Sequence, residues 1–138
     1  MIAYVDSSVL LRIVLGEKRR LPEWNAIESA VSSSLLEVEC LRTLDRMRRR
    51  SVLGDEELAA RRSAVLRVVE GFELVELARP ILARAAQPFP TPLGTLDAIH
   101  LTSALAWRDR VQAGLVMATH DGALAVAARA FGLEVVGA

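Results

Sequence analysis

Short β-leaning apolar runs alternate with helix-length segments along this chain, and no hairpin turn joins one run to the next. Ile2–Val5, Val31–Ser33, Phe72–Leu77, Gly114–Thr119 and Leu133–Val136 read as strands, with Phe72–Leu77 at a sheet edge. Helical patterns fill the gaps: from Asp6 to a stop at Gly16, then Pro22–Ala30, Ser34–Arg50, Asp55–Glu70, Ile81–Ala86, Leu96–Trp107 and Gly122–Phe131. Strands separated by helices pair as parallel neighbours, so the pattern predicts an α/β fold with a mainly parallel sheet of four to five strands. Residues 1–138 carry no linker, repeat or low-complexity tail and are expected to form a single domain.

Apolar residues make up 52% of the chain and aromatics only 4%, so the interior must be built from Ala, Val, Leu and Ile. Lys+Arg and Asp+Glu both count 17, which argues against a globally basic nucleic-acid binder. Lys18 is the only lysine. Arginine suits bidentate phosphate contacts, although a genome-level preference for Arg codons accounts for the bias more simply. Cys40 stands alone, which excludes an intrachain disulfide and a Cys-based zinc site. Met1 runs directly into Ile2–Asp6 without a basic leader, and no apolar run reaches membrane-spanning length. A cytoplasmic protein with no membrane association is expected.

Asp6, Glu39, Asp97 and Asp121 stand where apolar runs give way to helices, or in the first turns of those helices. Ligands on parallel sheets bind beyond the carboxyl ends of the strands, so the topology would bring these carboxylates to one edge. Each neighbour disfavours ionisation of the next unless a cation holds them together. Taken singly, each acid has a structural explanation. Asp6 and Asp121 fit as helix N-caps, Asp97 gains from a helix dipole, and Glu39 is spaced to pair with Arg42. Caps do not explain Glu39 or Asp97, and Asp97 interrupts the otherwise apolar Leu96–Leu101. Ser34-Leu35-Leu36-Glu37 matches a capping box, which assigns Glu37 to the helix start and leaves Glu39 for chemistry.

Several segments together are similar to the PIN domain: Asp6-Ser7-Ser8 after a short strand, Ser34 through Glu39 to Arg42, Leu96-Asp97-Ala98-Ile99-His100-Leu101, and Thr119-His120-Asp121 with Gly132 behind it. In size and order the chain resembles the VapC-type toxins of VapBC toxin–antitoxin pairs. The resemblance implies a three-layer α/β/α domain and a Mg²⁺- or Mn²⁺-dependent endoribonuclease acting on an RNA substrate. It also implies inhibition by a cognate VapB-type antitoxin, and a homodimer. Its acidic quartet carries over to Asp6, Glu39, Asp97 and Asp121 as catalytic and metal-binding residues, with Ser7 and Thr119 as supporting hydroxyls. Arg42, with Arg46, Arg48, Arg49 and Arg50 beyond it, would guide the RNA backbone.

All-oxygen ligands select hard cations, and such a site hydrolyses phosphodiesters with metal-activated water, leaving 5′-phosphate and 3′-hydroxyl ends. His100 is expected to pack or hydrogen-bond within its helix and His120 to be a loop side chain, rather than either being catalytic. Leu11, Leu15 and Trp24 serve the core rather than an antitoxin groove. Other acid-edged folds fit less well. A haloacid dehalogenase-type phosphatase needs an acid where Ser8 stands, a receiver domain needs a late lysine, and no P-loop is present. The remaining alternative is a catalytically silent PIN-like scaffold that binds RNA or protein.

Overall fold

Ala3, Tyr4 and Val5 are completely buried, as residues of a strand covered on both faces and both edges must be. They belong to β1 (Ile2–Val5), the centre of an all-parallel five-stranded sheet in the order β3-β2-β1-β4-β5. Its other strands are β2 (Ser29–Ser33), β3 (Glu73–Val75), β4 (Val116–Ala118) and β5 (Glu134–Val136) in a computed structural model describing residues 1–138. β3 is an edge strand, as expected. The register sets Ala3 beside Ala30 and Val116, and Val5 beside Ala118, so the carboxyl ends of the three inner strands lie together.

Side chains alternate across a strand, and β1 feeds two cores. Ala3 and Val5 pack with Val9 and Leu10 of α1 (Ser7–Val14), Leu36, Cys40 and Leu44 of α2 (Leu35–Arg49), and Val65 of α3 (Asp55–Glu70). Tyr4 points the other way, toward Leu101 and Leu105 of α5 (Thr95–Val111) and Leu124 and Ala127 of α6 (Gly122–Ala130). The result is the expected α/β/α sandwich. Each fully buried leucine in it contributes about 2 kcal/mol relative to exposure. α4 (Arg79–Ala85) packs on the outside of α5, which is why α5 is buried nearly all round and shows no polar face. Leu11, Leu15 and Trp24 are half-buried against the first core, which is the packing role expected of them.

Several local expectations change. Pro22–Ala30 is not a helix: a 3₁₀ turn covers Pro22–Ala26, Ile27 is extended, and β2 begins at Ser29, paired with Ile2. Backbone pairing with the central strand outweighs the short helical pattern. The Ser34–Glu37 capping box does not form. Ser34 is itself in the helical region and caps nothing, while Ser33 Oγ accepts the Leu35 N–H at 3.0 Å. The N-terminal cap has therefore moved one residue back, onto the last residue of β2. Helix α4 starts two residues before Ile81, with Pro80 in its first turn. α5 runs on past Trp107 to Val111 and ends at Gln112 in the left-handed region. No helix is long and apolar enough to cross a membrane.

Helices α1 and α6 close in the same way. Gly16 (φ +66°) and Gly132 (φ +77°) each follow the last helical turn in the left-handed region. The Gly132 N–H donates to Arg129 O at 3.0 Å and the Leu133 N–H to Ala128 O at 3.1 Å, the paired bonds of a Schellman motif. A Cβ at Gly132 would meet no atom within 4 Å, so replacing it tests backbone conformation alone. Gly132→Ala should cost about 1 kcal/mol in urea unfolding, with an unchanged m-value.

Candidate active site

Two strand-to-helix corners are tied together at the carboxyl edge of the sheet. β1 crosses over to β2 on one side while β4 adds on the other, so the gap between β1 and β4 is the sheet's topological switch point. The Asp6 N–H donates to Ala118 O at 3.2 Å, and the His120 N–H donates to Ser8 Oγ at 2.9 Å. Thr119 Oγ1 donates to Asp6 Oδ2 and accepts the Asp121 N–H at 2.9 Å. Asp6 is 3% exposed. Its Oδ1 accepts from Ser8 N–H at 2.6 Å, from Ser8 Oγ and, more weakly, from Val9 N–H at 3.4 Å. A buried carboxylate at a helix N-terminus is tolerated only with such donors around it.

The cap reading of Asp6 and Asp121 is therefore correct. Asp121 Oδ1 accepts the Leu124 N–H at 2.8 Å and caps α6. Capping does not exhaust these groups. Asp97, in the first turn of α5, is half-buried, and its carboxyl is pushed up to about 6. Burial is the largest cause, followed by the charges of Asp121 and Asp6; Glu39 adds to the rise, and His100 opposes it. All four predicted acids thus act on one field. No three of them are gathered tightly enough to hold an ion as they stand. Electrostatic repulsion reaches farther than a coordination bond. The donor set fits a hard divalent cation: it is all oxygen, and a cation would relieve the repulsion that Asp97 registers.

Glu39 lies in the second turn of α2, slightly deeper along the helix than expected, with its side chain 15% exposed. It does not pair with Arg42, which instead bridges to Asp45 at 3.6 Å. Its partner is the ring of His100 Nε2, whose Nδ1 meets Tyr4 Oη at 2.8 Å. The His100 ring hydrogen-bonds, as expected, but outside its own helix, and it also touches one of the acids. Burial pushes the Tyr4 phenol up, and the Ser32 and Ser103 hydroxyls offset this in part. His120 Nδ1 bonds Gly137 O at 2.9 Å.

Among the hydroxyls, Thr119 contacts Asp6 as expected, but the second contact is made by Ser8. Ser7 instead lines a groove with Glu39, Arg42, Arg46, Val38 and Leu96. Ser8 was readable as the residue two positions after an N-cap, whose N–H and hydroxyl both turn toward the cap. Nothing in the sequence marked Tyr4, which reads only as a strand residue. The largest cavity lies elsewhere, between α4, the Pro88–Pro92 loop and α5, and has no ionisable lining, so it offers no acid or base.

Because the Asp97 carboxyl is raised, the folded protein holds a proton there that the unfolded chain has already released. Stability is lost as pH rises from about 4 through 6. With metal absent, Asp97→Asn should therefore be more stable than wild type at pH 7.5 by about 1 kcal/mol, after discounting for partial exposure. The difference should vanish near pH 4, as read by urea unfolding at both pH values.

A model of the PIN domain family matches residues 3–130. No curated protein matches the chain. The matched span begins in β1 and ends with the last residue of α6, and so takes in all four acids. The five-stranded parallel sheet between two helical layers is the architecture that family has, and its members are generally nucleases. The chain belongs to the PIN domain family.

Proposed function

We propose that this protein is a metal-dependent endoribonuclease, and that it is the VapC-type toxin of a toxin–antitoxin pair. The observation that carries the nuclease reading is the convergence of four acids at the carboxyl edge of the sheet: Thr119 ties Asp6 to the Asp121 corner, and Asp97, raised first by burial, also feels Asp121, Asp6 and Glu39. Asp6, Asp97, Asp121 and Glu39 would hold Mg²⁺ or Mn²⁺. When bound, such an ion activates water, orients it in line with a phosphodiester and neutralises charge on the leaving oxygen.

The chain's own residues do the rest. Thr119 orients Asp6 through its hydroxyl, fixing which carboxylate oxygen faces outward. Asp121 spends Oδ1 on the α6 cap and keeps Oδ2 for the site. Ser7, which lines a groove together with Glu39, would donate to a phosphate oxygen. Arg42 and Arg46 stand three and seven residues after Glu39, on the same helical face and in the same groove. An RNA strand lying there would meet cations before it met the acids. Of the basic band on α2, Arg48 is engaged by Asp55 at 2.9 Å and Arg49 by Asp45 at 3.2 Å, whereas Arg46 bonds only neutral Thr43. Of the two arginines lining the groove, Arg42 is bridged to Asp45 and Arg46 is the one free of an acid.

A single PIN domain over residues 1–138, a VapB-type antitoxin closing the acidic pocket, a homodimer and a cytoplasmic location complete the proposal. They follow from the likeness to VapC-type toxins.

Purified protein should cleave total RNA with Mn²⁺, yield 5′-phosphate ends and stop on EDTA addition. Asp6→Asn and Asp97→Asn should each lower the rate at least about 100-fold. RNA binding without cleavage under any divalent ion would favour the silent scaffold instead. Arg46→Ala should reduce the slope of log K against log salt for single-stranded RNA by about 0.7, while Arg48→Ala leaves it unchanged.

A further inference from the structure

His100 is buried to 1% exposure, yet it is a polar ring with a partner at each nitrogen. The partners come from distant parts of the chain: Tyr4 from the central strand and Glu39 from α2. His100 itself belongs to α5, so its bond to Glu39 links the two helical layers across the carboxyl edge of the sheet.

Only one arrangement of protons pairs every atom when Glu39 is a carboxylate and the imidazole is neutral. A carboxylate only accepts, so Nε2 carries the hydrogen and donates to Glu39 Oε1. Nδ1 is then a lone-pair acceptor, and the Tyr4 hydroxyl donates to it. The chain Tyr4 Oη–H to Nδ1, then Nε2–H to Oε1, has a fixed direction. It occupies one oxygen of Glu39 and leaves the other for the pocket. Glu39 has three rotatable side-chain bonds, and on a helix facing a groove it would otherwise wander among rotamers.

We propose that Tyr4 and His100 are positioning residues that lock the Glu39 carboxylate toward the acidic pocket. His100 is too buried to touch substrate, and both its nitrogens are committed, so it acts through Glu39 alone. The proposal rests on the metal-site reading of Glu39, and it also separates Glu39 from Glu37, which has no such lock.

The test uses the intact protein with three variants. His100→Gln places an amide nitrogen where Nε2–H lay, His100→Asn places one only where Nδ1 lay, and Tyr4→Phe removes the hydroxyl alone. The first readout is Mn²⁺ affinity by electron paramagnetic resonance, without RNA. His100→Asn should weaken Mn²⁺ binding about 10- to 100-fold, with His100→Gln recovering most of the loss and Tyr4→Phe falling between. In a Glu39→Gln background, His100→Asn should add less than about two-fold, since a positioning residue has nothing left to position. A folded His100→Asn within about three-fold of wild type, or equal losses for Gln and Asn, overturns the proposal.

The second readout is the imidazole nitrogen spectrum of metal-free protein. The Nε2–H tautomer of His100, perturbed by both Tyr4→Phe and Glu39→Gln, supports the chain; the Nδ1–H tautomer overturns it. This result is independent of cleavage. A wild type that shows the tautomer but neither binds Mn²⁺ nor cuts RNA would refute the nuclease reading while leaving the Tyr4–His100–Glu39 geometry standing.

Discussion

The Asp6 carboxylate is the contact on which the rest of the edge is built. It is a buried charge at the end of the central strand, and such a group survives only where donors surround it. Two backbone N–H groups and the Ser8 hydroxyl meet one oxygen, and Thr119 meets the other. These bonds start α1 and fasten the β1 corner to the β4 corner. The same bonds set the opening from which Asp97 and Asp121 act. Stability and site geometry thus share one side chain.

That arrangement has a cost. Burial first, and then the charges of Asp121, Asp6 and Glu39, raise the Asp97 carboxyl to about 6. A fold selected for stability alone would place an amide or an apolar residue at position 97. A cation bound there would relieve that repulsion. The scaffold bears the repulsion because its two cores, one on each face of β1, are large and closely packed.

Much of this was legible from residue order. Strand–helix alternation predicts a parallel sheet, and β1, α3 and the glycine stops after α1 and α6 fall where their patterns place them. Long periodic segments leave little choice of element. Short ones do leave a choice: Pro22–Ala30 carries a helical pattern, but pairing with Ile2 pulls its end into β2. The Ser34–Glu37 box failed for a similar reason, since Ser33 is held by the sheet and its hydroxyl reaches the helix first. The capping argument that set Glu37 aside in favour of Glu39 does not hold. Glu37 caps nothing, and Glu39 is distinguished by His100.

From the sequence alone came the number and direction of the strands and the identity of the acids at their ends, because hydrophobic period and helix-start chemistry are local properties. Tertiary structure decided the partners. That Thr119 meets Asp6, and that Tyr4 meets His100 and His100 meets Glu39, depends on side chains separated by 61, 96 and as many as 113 residues along the chain. Contacts of that span are made by packing two helical layers against a common sheet, and no local pattern encodes them.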